Sequence, residues 1–99
     1  MIHCSQCQNE IAGDCVACIA GSIMGDEYSE AYFLCERCGV YTVEIYHARF
    51  LDEESVSLRG PVSKEEGDAK LQLIKQCSEP WEKKCRCEAH RAYFGDCLD

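Results

Sequence analysis

The sequence predicts a small α+β domain stapled by metal ions, in which β-hairpins precede one C-terminal helix and a Cys/His-rich tail. Ten of its 99 residues are cysteine, and six of those form three C-x-x-C pairs. A β-forming segment follows the third pair, and a capped helical segment comes after it. Packing alone gives a chain of this length a thin margin of stability, so metal staples complete the expected fold.

The predicted domain spans residues 1–99 and divides into three regions. Residues 1–39 carry the cysteine pairs, and Gly25-Asp26-Glu27 predicts a hairpin turn between the second pair and the third. Residues 40–62 are expected to form a β-hairpin, and residues 63–99 a helix followed by the tail. Each region is short, so we expect them to share one core.

The strongest strand signal lies at residues 40–46, which are rich in β-branched and aromatic side chains. An acidic turn at 52–55 leads to a short predicted strand at 56–58, and Gly60-Pro61 is expected to end the β region. Because side chains alternate along a strand, one face of the first strand should carry Tyr41, Val43 and Ile45.

A helix is predicted from the capping-box pattern at Ser63-Lys64-Glu65-Glu66 to about Gln76, before Pro80. Gly67 weakens the early part of this helix, since glycine is a poor helix former. The expected core-facing positions are Leu71, Ile74 and Cys77.

The cysteines indicate metal rather than disulfides. The N-terminus shows no basic, apolar and small-residue pattern of a secretory signal, so we expect a cytoplasmic protein in a reducing environment. No apolar run approaches the roughly 20 residues that cross a bilayer, so no membrane association is expected. In a cytoplasmic chain, C-x-x-C pairs at these spacings are typical of zinc sites.

The third pair shows the local signature of a zinc-binding turn. In Cys35-Glu36-Arg37-Cys38-Gly39, the glycine after the second cysteine suits a position that often requires positive φ. An apolar segment precedes this turn and the residue 40 strand follows it, so residues 15–46 resemble a zinc ribbon with two C-x-x-C knuckles. The resemblance implies tetrahedral zinc on a β-hairpin scaffold, and it implies no particular activity.

Spacing leaves three ways to share the pairs among metal ions. The second and third pairs enclose 16 residues and match a common four-cysteine zinc pattern. A cross-brace would instead join the first pair to the third and leave the second to find ligands in the tail. A compact site of the first two pairs is permitted by spacing but not favoured. The pairs, in order, are Cys4/Cys7, Cys15/Cys18 and Cys35/Cys38.

One pair is left over in every arrangement, so its remaining ligands are expected from the tail. Two closed zinc sites are favoured, three are allowed by the number of ligands, and iron is less favoured than zinc. Cys97 is expected to be a bystander, and neither His3 nor His47 is expected to be a ligand. The candidate tail ligands are Cys77, Cys85, Cys87 and His90, the last two sharing one helical face.

Function is predicted only in outline. Closed four-ligand sites take the metal out of catalysis, and no metalloprotease, deaminase or phosphate-loop motif is present, so the sequence favours a non-enzymatic protein. The net charge of −8 disfavours nucleic acid and favours a protein partner. The alternatives are a rubredoxin-like iron, redox or metal-handling protein, and a zinc-ribbon nucleic-acid binder.

Overall fold

The structure is a computed structural model that describes residues 2–11, 14–23, 25–49 and 54–95. It is a small α+β fold, as predicted, with two antiparallel sheets and two helices in the described part. The elements are β1 (Ile2–His3), β2 (Glu10–Ile11), β3 (Ala17–Ile23), β4 (Asp26–Cys35), β5 (Val40–Ala48), β6 (Glu54–Ser63), α1 (Lys64–Lys75) and α2 (Glu88–Phe94).

The larger sheet is a meander with the strand order β3-β4-β5-β6, and β1 pairs with β2 in a separate small sheet. Ile23 lies opposite Asp26, so the turn between β3 and β4 comes earlier than the predicted turn at residues 25–27. Gly25 takes a φ of 88° at this turn, a conformation that glycine adopts without a steric penalty. The position of this turn sets the register of the whole hairpin, with Cys18 opposite Ala31.

The strand predicted at residues 40–46 is confirmed and continues to Ala48. Tyr41 and Val43 are buried on the expected face, together with Tyr32 of β4 and Ile19 of β3. The apolar residues of this face were recognisable from their alternation along the sequence.

The second strand of this hairpin is much longer than the predicted segment at 56–58. β6 runs through Gly60-Pro61, where the sequence analysis placed the end of the β region, so that prediction was wrong. The register between β5 and β6 shifts between Tyr41 and Val43, and β6 is the last strand of the sheet. An edge strand beside an irregular pairing tolerates proline, because the missing N–H removes no inner ladder bond. The predicted turn at 52–55 lies partly outside the described residues, and Ser55 belongs to β6.

α1 begins and ends close to its predicted limits. The Ser63 side chain accepts a hydrogen bond from the backbone N–H of Glu66 at 3.2 Å, which confirms the predicted cap. The helix lies against the face of the sheet that carries Tyr41 and Val43, and its buried side chains there are Leu71 and Ile74.

Gly67 has a packing role that the sequence analysis did not anticipate. A Cβ atom at this position would lie 2.0 Å from a ring carbon of Tyr41, so only glycine lets α1 approach the sheet this closely. The Tyr41 hydroxyl donates a 2.5 Å hydrogen bond to Asp68, the next residue of the helix.

The tail folds back against the sheet. The backbone carbonyl of Pro80 accepts a hydrogen bond from the backbone N–H of Ala20 at 2.8 Å, which places the tail along the outer edge of β3. A second helix, α2, follows; the sequence analysis predicted one helix and noted only a shared helical face near His90. Neither helix is long and apolar enough to cross a bilayer, within the part of the chain that the structure describes.

Candidate metal centres

The first and third cysteine pairs meet at one point, which we call centre 1. Its ligand atoms all lie within 4.8 Å of one another. Two of the sulfur–sulfur separations are 3.9 Å, between Cys4 and Cys38, and 3.8 Å, between Cys7 and Cys35. A regular tetrahedron with metal–sulfur bonds of about 2.3 Å has edges of roughly 3.8 Å. The four sulfurs therefore have the spacing of a tetrahedral thiolate site.

The two turns of centre 1 have the same backbone geometry. In the first, the N–H of Gln8 donates to the carbonyl of Cys4 at 2.9 Å; in the second, the N–H of Gly39 donates to the carbonyl of Cys35 at 2.8 Å. Gln8 and Gly39 both have positive φ, 64° and 68°. The expected role of Gly39 is confirmed, and a non-glycine residue fills the equivalent position of the other turn.

Ser5 holds the first turn of centre 1 on the sheet. Its backbone N–H donates to the hydroxyl of the buried Thr42 at 2.9 Å, and the two hydroxyls are 3.0 Å apart. Gly60 of β6 lies directly beneath, since a Cβ there would come within 2.5 Å of the Ser5 hydroxyl. The N-terminal segment is thus fixed over the irregular pairing of β5 with β6.

The pKa values of the thiols in centre 1 fit a cation-binding site. Hydrogen bonding by Asn9 and then by Cys38 lowers the pKa of the Cys7 thiol to about 6. The hydrogen bond with Cys7, together with burial, raises the pKa of Cys38 to about 12. Four thiolates at this separation repel one another, so a bound divalent cation is needed for all of them to ionise together.

The tail builds a second group of four ligands, which we call centre 2. Its members are Cys77, Cys85, Cys87 and His90. The sulfurs of Cys77 and Cys85 are 3.7 Å apart, and His90 Nδ1 lies 3.2 Å from Cys77 Sγ and 3.5 Å from Cys87 Sγ. A tetrahedron with zinc-like sulfur and nitrogen bond lengths has mixed edges of roughly 3.6 Å. The group therefore has the dimensions of a Cys3His site.

The tautomer of His90 is set by the sheet. Its Nε2 lies 2.9 Å from the carbonyl oxygen of Ala20, which can only accept a hydrogen bond. Nε2 therefore carries the proton, and the lone pair of Nδ1 points toward the cysteines. A carbonyl that orients a histidine in this way is a common second partner of metal-binding imidazoles. The ring is fully buried, so this orientation is fixed.

The thiols of centre 2 also differ in pKa, because hydrogen bonding lowers the pKa of one and burial raises that of another. Burial alone would raise the pKa of Cys87, but hydrogen bonding, chiefly from the backbone N–H of His90, lowers it to about 6. Burial raises the pKa of Cys77 to about 11. Cys87 is also the N-cap of α2, where its sulfur accepts the backbone N–H of His90 at 3.5 Å.

Eight of the ten predicted ligands thus fall into two groups, and the second cysteine pair joins neither within the described residues. This corresponds to the cross-brace alternative for centre 1 and not to the ribbon-like set of the second and third pairs. The register explains the difference: Cys18 faces Ala31, four residues from Cys35 along β4 and so roughly 13 Å away. Among the described residues, the leftover pair also recruits no tail ligand, because Cys77, Cys85, Cys87 and His90 form centre 2 by themselves.

The histidines outside the two centres have other contacts. His47 stacks on Tyr28 with ring centroids 4.2 Å apart and lies 3.1 Å from an Asp26 carboxylate oxygen, so it is packed. His3 is exposed in β1 and belongs to neither group. The bystander role predicted for Cys97 lies outside the described residues.

Three supporting residues were missed from the sequence: Gln8, Ser5 and Ala20. Gln8 has no sequence signal, because left-handed backbone is uncommon for glutamine. Ser5 and Ala20 act through hydrogen bonds whose partners, Thr42 and His90, lie far along the chain. One signal was available for the second pair: the residue after it is Ile19, and a β-branched residue disfavours the positive φ of a metal-binding turn.

Within the described residues, these two groups are the only places where three or more metal-binding side chains converge. Centre 1 draws its ligands from two segments that are distant in sequence, and centre 2 draws its ligands from one segment of mostly irregular backbone. Comparisons with protein-family models, with curated proteins and with solved structures find no match for this chain.

Proposed function

We propose that this chain is a non-enzymatic protein built around two structural zinc ions and that it acts as an accessory or interaction module for another protein. The observation that carries the proposal is that each metal-binding group has a complete set of four protein ligands. Each group supplies four protein ligands at tetrahedral separations, which fills the coordination shell of zinc and leaves no position for water or substrate.

The ligand types favour zinc over iron. Centre 1 alone has the four sulfurs that a rubredoxin-like iron site uses as well. Centre 2 replaces one sulfur by the neutral imidazole of His90, a Cys3His set that is common for structural zinc. Zinc is the metal that both ligand sets favour.

The positions of the centres support a structural role. Centre 1 joins residues 4–7 to the turn between β4 and β5, and centre 2 fixes residues 77–90 beside the edge of β3. These are the irregular segments of the described chain, which have few buried apolar side chains of their own. Metal binding energy therefore replaces packing where packing is thin.

Charge and exposed apolar side chains support a protein partner. The net charge is −8, and bound zinc makes it more negative because seven thiols ionise against two divalent ions. Large apolar side chains are exposed at Val56, Leu58 and Trp81 of the described chain. An acidic protein with exposed anchors of this kind is suited to contact another protein rather than a phosphate backbone.

Native mass spectrometry with elemental analysis tests the metal content. We expect two zinc ions per chain, one fewer in Cys38→Ser, one fewer in Cys87→Ser, and no change in the matched control Cys15→Ser/Cys18→Ser. Iron, a third zinc ion, or a loss of metal in the control variant would contradict the proposal.

Chelation tests the structural role. Because the centres hold the two ends of the fold, removing zinc should abolish the cooperative thermal transition seen by circular dichroism. Restored zinc should restore that transition. An unchanged spectrum and transition after complete zinc removal would show that the ions are not structural.

The interaction role is tested by affinity capture with zinc-loaded chain at two salt concentrations, followed by nuclease treatment. We expect protein partners whose retention survives nuclease and declines in Trp81→Ala. Retention that depends on nucleic acid and falls steeply with salt would favour the nucleic-acid alternative.

A further inference from the structure

Cys15 and Cys18 form the one C-x-x-C pair that lies in neither centre, within the described residues. Neither belongs to a disulfide in the structure, and both are half-buried. The backbone bends at Val16, between the two cysteines, and the Cys15 thiol is near enough to Cys18 that this neighbour, after burial, raises its pKa. Val16, between them, is 50% exposed, which leaves this segment open to solvent.

The backbone of this pair differs from the two turns of centre 1. There, the residue after the second cysteine has positive φ and donates its N–H to the first cysteine. Here, that residue is Ile19, which is fully buried and part of the regular strand β3. Cys18 itself is paired with Ala31 in the sheet. The spacing is the same, but the backbone is not arranged to hold a metal ion.

Two neighbouring thiols that are accessible and carry no metal are suited to oxidation. We propose that Cys15 and Cys18 form a reversible intramolecular disulfide, with a low-molecular-weight disulfide such as oxidised glutathione as the electron acceptor. C-x-x-C spacing is compatible with such a bond. This gives the chain a modification site that is separate from both metal centres.

The reaction proceeds in two exchanges. One thiolate attacks a sulfur of oxidised glutathione, forms a mixed disulfide and releases one glutathione thiolate. The second thiolate attacks the protein sulfur of that mixed disulfide, closes the Cys15–Cys18 bond and releases the second glutathione. The two protein thiols lose two protons and two electrons, and oxidised glutathione takes up both the electrons and the protons to give two molecules of glutathione.

The environment of the Cys15 thiol predicts how fast the disulfide forms and how easily it is reduced. A thiol whose pKa is raised, as at Cys15, has little thiolate at neutral pH, so the reaction is slow. The Cys15 thiolate is also not stabilised in the reduced form, so Cys15 does not make this disulfide a strong oxidant.

The selectivity of this reaction rests on the proposed function, because the other seven described cysteines are protected only if they hold metal. The experiment uses the full chain in a Cys97→Ser background, which removes the remaining cysteine from competition. Zinc content is measured first. The zinc-loaded protein is then incubated with oxidised glutathione, alkylated and mapped by mass spectrometry, while released zinc is followed with a chromogenic chelator.

We expect a loss of two hydrogen masses confined to the peptide with Cys15 and Cys18, with both zinc ions retained. In Cys18→Ser, the reaction should stop at a glutathione adduct on Cys15, and Cys15→Ser/Cys18→Ser should not react. Oxidation that begins at the centres with zinc release, a pair that stays reduced, or an adduct that persists in the unmutated pair would overturn the inference. Absence of zinc at the first step refutes the proposed function instead, and the mapping still reports whether the pair oxidises.

Discussion

Replacing Gly67 by alanine should destabilise the protein, although the same change stabilises most helices. At an exposed helical position, Gly→Ala gains about 1 kcal/mol from helix propensity. Here the new Cβ would lie 2.0 and 2.3 Å from two ring carbons of Tyr41, whereas carbon atoms pack at about 3.5–4.0 Å. Either the ring or the helix must therefore move by roughly 1.5 Å.

Tyr41 has little freedom to move. It is 2% exposed, meets Tyr32 edge-on at a centroid distance of 6.1 Å, and donates its hydroxyl hydrogen to Asp68. Overpacking of this kind costs about 1–3 kcal/mol, and loss of the hydroxyl hydrogen bond adds about 1 kcal/mol. After subtraction of the propensity gain, Gly67→Ala should lower the free energy of unfolding by about 1–3 kcal/mol.

The measurement is urea unfolding at one fixed, saturating zinc concentration, since bound metal contributes to apparent stability. The control Ala69→Gly, at an exposed position of the same helix, should cost about 1 kcal/mol through propensity alone. In a Tyr41→Ala background no side-chain atom beyond Cβ remains to meet the new methyl group, so Gly67→Ala should no longer destabilise. Equal or greater stability of Gly67→Ala in the unmutated background would refute the packing argument.

Three further changes test the turns, the cap and the core by the same unfolding measurement. Gln8→Gly should stabilise the zinc-loaded chain by up to about 1 kcal/mol, because glycine adopts a φ of 64° without strain; a loss of zinc affinity would contradict this. Ser63→Ala should cost about 1 kcal/mol by leaving the N–H of Glu66 without its cap, and Ser63→Asp should retain most of the stability. Ile74→Val should cost about 1 kcal/mol at a site that is 3% exposed, while the exposed Gln72→Ala should cost nothing measurable.

Local signals in the sequence predicted most elements of the main fold. The alternation around Tyr41 and Val43 identified β5 and its buried face, and the capping pattern at Ser63 identified the start of α1. β6 was underestimated because its residues are almost all exposed, so no apolar alternation marks its length. Gly67 was taken as a weakness of the helix, since its contact with Tyr41 is visible only in three dimensions.

The candidate ligands were predictable as a set, but their grouping depended on register. The turn between β3 and β4 places Cys18 opposite Ala31; a turn two residues later would have placed it opposite Cys35. Such a shift in register changes neither the composition nor the spacing of the cysteines, so neither of them reveals the grouping. The fourth ligand of centre 2, His90, was predicted from the density of cysteines around it, whereas its orientation by Ala20 depends on a contact 70 residues away in sequence.

The contact of the tail with Ala20 also bears on aggregation. β3 is an edge strand, and the N–H and C=O of Ala20 are occupied by Pro80 and His90. An uncovered edge strand is a template for pairing with another chain. Loss of metal from centre 2 frees the tail and uncovers this edge, so light scattering should rise after chelation and rise earlier in Cys87→Ser than in Cys38→Ser. Metal binding at centre 2 therefore keeps the edge of β3 covered and prevents it from pairing with another chain.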